Sequence, residues 1–436
     1  MLKEKIAVLL PAWRDRISIL LKNNARVKVD EVNVGQVFGG MRDIKSLVTD
    51  ISYVDAQEGI RFRGYSIPEV LEILPKHHHV KFPLVGGLYY LLLIGELPTL
   101  EEAEAIEAEW KKRMVVPQYV YDVLKAMPRD SHPMTLFSQS ILAMQRESVF
   151  AKQLAQGIKK TEYWEPMLED SLNLTAKAPS IAAFIYNLKY RNAEIVPPDV
   201  ALDWSANFAL MIGKGEDKEY ADLCRLYFIL HSDHESGNVS AHTSHLVGSA
   251  LSDIYYACSA GMNGLAGPLH GLANQECLSW LMEVQSSFGH LPSKEELEQF
   301  AWDTLNTGKV IPGYGHAILR KPDPRFMAQL EFGNTFMPND ELFQLVKLVY
   351  EVVPQVLTKL GKVKNPYPNV DAISGSLQYH YGLKEFDFYT VLFGVSRILG
   401  VTANAIWARA LSQPLERPKS MTTAMLEDIV KRASTG

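Results

Sequence analysis

Four of the chain's twelve histidines fall between Leu230 and Gly248, in LHSDHESGNVSAHTSHLVG. His231, His234, His242 and His245 form two H-x-x-H pairs there, a pattern that could serve a metal, carry protons or pack helices. A zinc hydrolase helix spaces its two histidines four apart with an interleaved Glu. Here the spacing is three, and Ser236, Gly237 and Asn238 interrupt any helix between the pairs. A resident metal is therefore not expected. Hydrogen-bonded packing is the expected role of His231, His242 and His245.

The other candidates are His234, His270 in GLAGPLHG, His316 in IPGYGHAILRK, and Asp371 in NPYPNVDAISG. Arginines accompany them: Arg320, Arg325, Arg397 and Arg417. Arginine suits two-pronged recognition of carboxylate or phosphate. Arg397 lies inside an apolar run, Val391 to Leu399, where an unpaired cation is costly, so it needs an anion, either an internal acid or a ligand. Asp371 follows two prolines, and its carboxylate fits a general base or a helix N-cap. The GYG turn before His316 offers bare backbone to a flat base. It lacks the third glycine of a dinucleotide fingerprint, and MIGKGED lacks the first glycine of a phosphate loop.

These side chains need elements to hold them, and helical periodicity dominates. Thr99 with Glu102, and Ser293 with Glu296, form capping boxes that open helices, and Gly308 stops the second. NDELFQLVKLVYEVVPQVLTKLG is an amphipathic helix broken or kinked at Pro354. A segment rich in Gly, Ala and Ser, 244–276, predicts a closely packed central helix pair, with Gly264, Gly267, Pro268 and Gly271 at the junction beside His270. Strand-like alternation is confined to pieces such as ARVKVDEVNVG. The fold class is mainly α.

Length and composition set the frame. At 436 residues two domains are the prior, and 47% hydrophobic with 22% charged residues is ordinary globular usage. The net charge of -6 supplies no basic field for nucleic acid, so anionic ligands need local Arg and Lys. Three cysteines without CxxC spacing argue against a disulfide framework. The run GGLYYLLLIG is too short to span a bilayer. Glu4, Pro11 and Asp15 interrupt the N-terminal apolar patch, which reads as a surface helix of a cytoplasmic protein.

Several long motifs together resemble the citrate synthases of the dimeric, eukaryote-like type: HSDHESGNVSAHTSHLVGSALSD, MNGLAGPLHGLANQE, VIPGYGHAILRKPDPRF, NPYPNVDAISG and VLFGVSRILGV with LERPKSM. The likeness covers essentially the whole chain. It implies a two-domain helical fold, with a large domain of residues 1–271 and 383–436 and a mobile small domain of 272–382. It implies condensation of acetyl-CoA with oxaloacetate and water to citrate and CoA. Asp371 is then the base, His270 the donor to the thioester oxygen, and His316 the group that polarises the ketone. His234, Arg325 and Arg397 would hold oxaloacetate, with Arg417 reaching in from a second subunit. Arg42, Lys160, Arg320, Lys362 and Lys364 would meet the CoA phosphates, Arg42 also across the interface. Val310, Pro312, Gly313 and Gly315, in the turn from Val310 to Gly315, would meet the CoA adenine, and Asn369 would also bind CoA.

The same resemblance implies a homodimer acting on small molecules, with no cofactor, nucleic acid or membrane, in a bacterial cytoplasm. Lys160 replaces an Arg, and Ile373 replaces the His of the animal enzymes. The second change leaves open a 2-methylcitrate synthase using propionyl-CoA, since one methylene discriminates by only about 1–3 kcal/mol. A helical metal hydrolase and a non-catalytic binding protein of the same fold are the alternatives from other classes.

Overall fold

The computed structural model describes residues 1–316 and 318–434. Among them lie twenty α-helices and one three-stranded antiparallel sheet, so the mainly α expectation holds. Both capping boxes form: Thr99 opens Leu100–Arg113 and Ser293 opens Lys294–Asn306, with Gly308 just beyond at φ +82°. Glu341–Leu360 runs unbroken through Pro354, because Val352, Val353, Val356 and Leu357 around the proline are buried in the core.

The strand expectation over ARVKVDEVNVG is corrected. Residues 27–33 are irregular and Val27, Val29 and Val32 are exposed, so the alternation has no buried face to serve. The strands lie further on, at Ser52–Asp55, Gly59–Phe62 and Tyr65–Ser66. They matter to the site: Ser52 Oγ donates to Asp233 at 2.7 Å and accepts from the Glu235 amide at 2.8 Å, while Val54 N donates to Glu235 at 3.1 Å. The small sheet thus grips the loop on both sides of His234. Glu235 sits at φ +51°, a left-handed conformation that a side chain adopts only when its surroundings impose it.

The core centres on Trp164–Tyr190 packed against Tyr389–Ala410. The second of these is long and apolar enough to cross a membrane by length and composition, but it lies buried within the protein. The predicted central pair is Val239–Ser249 against Ile254–Leu265. Their contact is intimate: a Cβ on Gly261 would fall 2.0 Å from Ser244 Oγ, so only glycine fits. Ile254–Leu265 ends and Ala273–Phe288 begins around the predicted glycines, which leaves His270 in the junction. Ala273–Phe288 packs on Asp371–His380, which in turn meets Pro324–Phe336 and Glu341–Leu360.

Candidate active site

Arg397 organises the centre. Its guanidinium is fully buried on Tyr389–Ala410 and donates to His231 O (3.2 Å), Asn238 Oδ1 (3.0 Å) and Ser240 Oγ (3.3 Å). All three acceptors are uncharged. Among the described residues it makes no ion pair with a carboxylate, and Asp233 is the group that most favours its charge. Desolvating an ion costs several kcal/mol, so a buried cation with neutral partners is a standing demand for an anionic ligand.

His270 and His316 are held as complementary tautomers. The Ser240 amide donates to His270 Nε2 at 3.3 Å and the Ser240 hydroxyl lies 2.9 Å from the same nitrogen; with the amide as donor that nitrogen accepts, and Nδ1 carries the proton. Ser240 lies in the first turn of Val239–Ser249, capped by Asn238, whose positive dipole end also disfavours an imidazolium. Burial and then Arg397 bring His270 down to about 4. In His316 the amides of Ile318 and Leu319 both donate to Nδ1 at 3.1 Å, which leaves the proton on Nε2. Burial and then Arg325 lower its pKa as well. Both rings are neutral donors.

His234 stands beside His316, ring centroids 5.8 Å apart. Its Nε2 is buried with no hydrogen-bond partner among the described residues, and burial followed by Arg325 pushes its pKa well below the ordinary value. Arg325 is buried and forked on Asp323, with Nη2 2.7 Å from Oδ2 and Nε 3.1 Å from Oδ1. Asp371 opens its helix without capping it: Val370 holds the N-cap position and no side chain caps the end. The Asp371 amide instead donates to Asn369 Oδ1 at 2.9 Å. Burial pushes the Asp371 carboxyl up to about 6, against the pull of Arg325. Arg325 and Arg397 therefore both act on Asp371 and on His234, which ties these groups into one electrostatic unit.

The glycine turn is stapled to the loop that carries Asp371. Gly315 N donates to Tyr367 O at 3.1 Å, Asn369 N donates to Gly313 O at 2.8 Å, and Tyr314 bridges Pro368. A Cβ on Gly313, at φ +77°, would fall 2.4 Å from Cys277 Sγ and 2.9 Å from Ala372 Cα. Val310 at the start of the turn is exposed, and Pro312 is half-buried. Arg320 donates its amide to Ala56 O and its side chain to the Ile318 and Leu319 carbonyls at 2.7 Å. Arg42, Lys160, Lys362, Lys364 and Arg417 are all exposed and contribute nothing to this buried cluster within one chain.

Sequence reasoning passed over Asn238, Ser240, Asp233 and Asp323. Asn238 is the hub: it caps its helix by accepting from Ala241 N, accepts from Arg397, and donates to the His234 and Glu235 carbonyls. An Asn just ahead of a helical run was the available signal. Two of the first histidine cluster pack as expected of polar helix contacts, His231 stacked on Tyr227 at 4.0 Å and His242 paired with Glu416 at 2.7 Å. Among the described residues no group of His, Cys, Asp or Glu could hold a metal ion.

The family described as citrate synthase, C-terminal domain, matches residues 40–419. A probable mitochondrial citrate synthase of Glossina morsitans morsitans is 52% identical, covering 99% of this chain and 93% of its own. The mitochondrial citrate synthase 4 of Arabidopsis thaliana is 51% identical, covering 100% and 91%. The crystal structure of citrate synthase from Pyrobaculum aerophilum superposes with a TM-score of 0.76 at 27% identity, covering 88% and 92%. These eukaryotic relatives are mitochondrial proteins, which overturns the expectation of a bacterial cytoplasm. The chain belongs to the citrate synthase family and is an enzyme of that kind.

Proposed function

We propose that the chain condenses acetyl-CoA with oxaloacetate through Asp371, His270 and His316. The observation that carries this reading is the pair of opposite tautomers, whose arginine neighbours, Arg397 for His270 and Arg325 for His316, also act on the buried Asp371 carboxyl. Asp371 takes a proton from the acetyl methyl group. His270 Nδ1–H meets the charge that develops on the thioester oxygen. The enol carbon attacks the ketone of oxaloacetate, while His316 Nε2–H polarises that ketone and protonates the new alkoxide. Water then cleaves the thioester, releasing citrate and CoA. General acid–base transfer and oxyanion stabilisation each contribute on the order of 10²–10³-fold or more in a water-poor site.

The unmatched cation of Arg397, the unpartnered Nε2 of His234 and the Asp323-held Arg325 support an oxaloacetate site for the two carboxylates and the ketone. Arg417 supplies a further contact from a second copy of the chain. Its exposure supports that placement, as do the exposed apolar side chains of the terminal segments, among them Leu20, Phe38, Val48, Met425 and Ile429. Arg42 acts across the same interface, and the resulting homodimer carries two sites. Lys160, Arg320, Lys362 and Lys364 meet the CoA phosphates; the turn from Val310 through Pro312, Gly313 and Gly315, with Asn369, takes the adenine. Acetyl-CoA is a substrate and no cofactor takes part.

Residues 272–382 form the small domain that closes on residues 1–271 and 383–436, and closure excludes the water that would quench the enol. The relatives favour the mitochondrial matrix as the place of action. Ile373, the position that raises the propionyl-CoA alternative, is fully buried in its helix. The test is oxaloacetate-dependent loss of thioester absorbance with acetyl-CoA and propionyl-CoA in parallel, without added metal. Faster turnover of acetyl-CoA is expected; equal or faster turnover of propionyl-CoA makes the enzyme a 2-methylcitrate synthase.

A further inference from the structure

The Val239–Ser249 helix does two jobs. Its first turn presents Ser240 to His270 and Arg397. One turn further on it grips the segment that follows the last core helix. His242 Nε2 lies 2.7 Å from Glu416 Oε1, and His245 Nε2 lies 3.7 Å from Glu416 Oε2. Ser249 Oγ accepts from the Glu416 amide at 3.1 Å. Glu416 is thus held by side chain and backbone, while residues 413–422 around it have no helix or strand of their own. Its neighbour Arg417 is exposed and precedes Pro418, whose ring confines Arg417 to extended backbone. Fixing Glu416 therefore fixes the direction in which Arg417 leaves the surface.

We propose that His242, His245 and Glu416 form a latch that aims Arg417 at the oxaloacetate site of a second copy of the chain. The latch rests on the reading of Arg417 as a ligand acting across the interface. Glu416 is a positioning residue: it touches no substrate and acts only through Arg417. Because one helix carries both the latch and Ser240, each subunit's His270 support and its partner's substrate arginine share a scaffold.

The test is a double-mutant cycle on the full-length enzyme, reading KM for oxaloacetate and for acetyl-CoA separately. Glu416→Ala should raise the oxaloacetate KM about tenfold, with the acetyl-CoA KM little changed, and should add nothing in an Arg417→Ala background. Glu416→Gln, which keeps an acceptor for His242, should restore most of the affinity. His242→Phe, which keeps the ring and removes the partner, repeats the test if the Ala variant does not fold. An unchanged oxaloacetate KM in Glu416→Ala, or an equal rise with and without Arg417, overturns the latch while leaving the Arg417 reading intact. An unchanged oxaloacetate KM in Arg417→Ala overturns that reading, and the latch with it.

Discussion

His270 and His316 face the centre of the site with their protons on opposite nitrogens, because backbone amides donate to Nε2 of the first and to Nδ1 of the second. Neither ring can take up a proton at its occupied nitrogen without setting N–H against N–H. In the proposed mechanism these two neutral donors divide the labour with the buried carboxylate of Asp371, which is left as the base.

The division sets a pH dependence. As the proposed base, Asp371 works ionised; burial pushes its carboxyl up to about 6, whereas burial and Arg397 hold His270 down to about 4, so the imidazole stays neutral throughout the working range. The acidic limb of kcat/KM for acetyl-CoA should therefore rise with pH through about 6, with one proton lost. A limb centred near 4 would assign the limiting group to His270 instead.

Burial of Asp371 also costs stability, and the sign follows from its raised pKa. The folded state holds the proton up to about 6, while an unfolded Asp loses it near 3.9. Between those values the folded state binds more protons, so stability falls as pH rises, and the cost is complete above about 6. Asp371→Asn removes that cost. It should be more stable than the parent at pH 8 by roughly 2–3 kcal/mol, and no more stable at pH 4. Thermal unfolding at both pH values checks this; a less stable variant at pH 8 contradicts it.

Arg397 depends on the shape of its fork as well as its charge. Arg397→Lys keeps a cation near Asp233 but cannot serve His231 O, Asn238 and Ser240 together with a substrate carboxylate. Loss of charge-assisted bonds worth roughly 1.5–3 kcal/mol should raise the oxaloacetate KM about ten- to a hundredfold. An isothermal titration with oxaloacetate measures the binding loss directly, and unchanged affinity would exclude Arg397 from the substrate site.

Gly313 has no room for a side chain and sits at positive φ. Gly313→Ala must push the turn away from Cys277 and from the backbone of Ala372, next to Asp371. The expected result is a higher acetyl-CoA KM and a lower kcat, with oxaloacetate affinity retained. Equal loss for both substrates would mean general unfolding of the region.

The helices were legible in the sequence because capping boxes and apolar periodicity are local signals, as at Thr99 and Ser293. The alternation at Val27 and Val29 misled because a period of two marks a strand only where one face is buried, and these side chains are exposed. The same limit applies to the site. His270 and Arg397 stand out by type and setting, but Ser240 and Asn238, which orient them, are ordinary residues until the fold brings them there. The carboxylate that clamps Arg325 lies only two residues away, and the structure gives Asp323 a second task as the cap of the same helix.

The central claim is that Asp371 is the base, and Asp371→Asn tests it most directly. Condensation should fall by about 10²–10⁴-fold, as read by oxaloacetate-dependent thioester loss, while the Kd for oxaloacetate stays within about twofold of the parent. Near-parental turnover, or a loss of oxaloacetate binding as large as the loss of rate, would contradict the account.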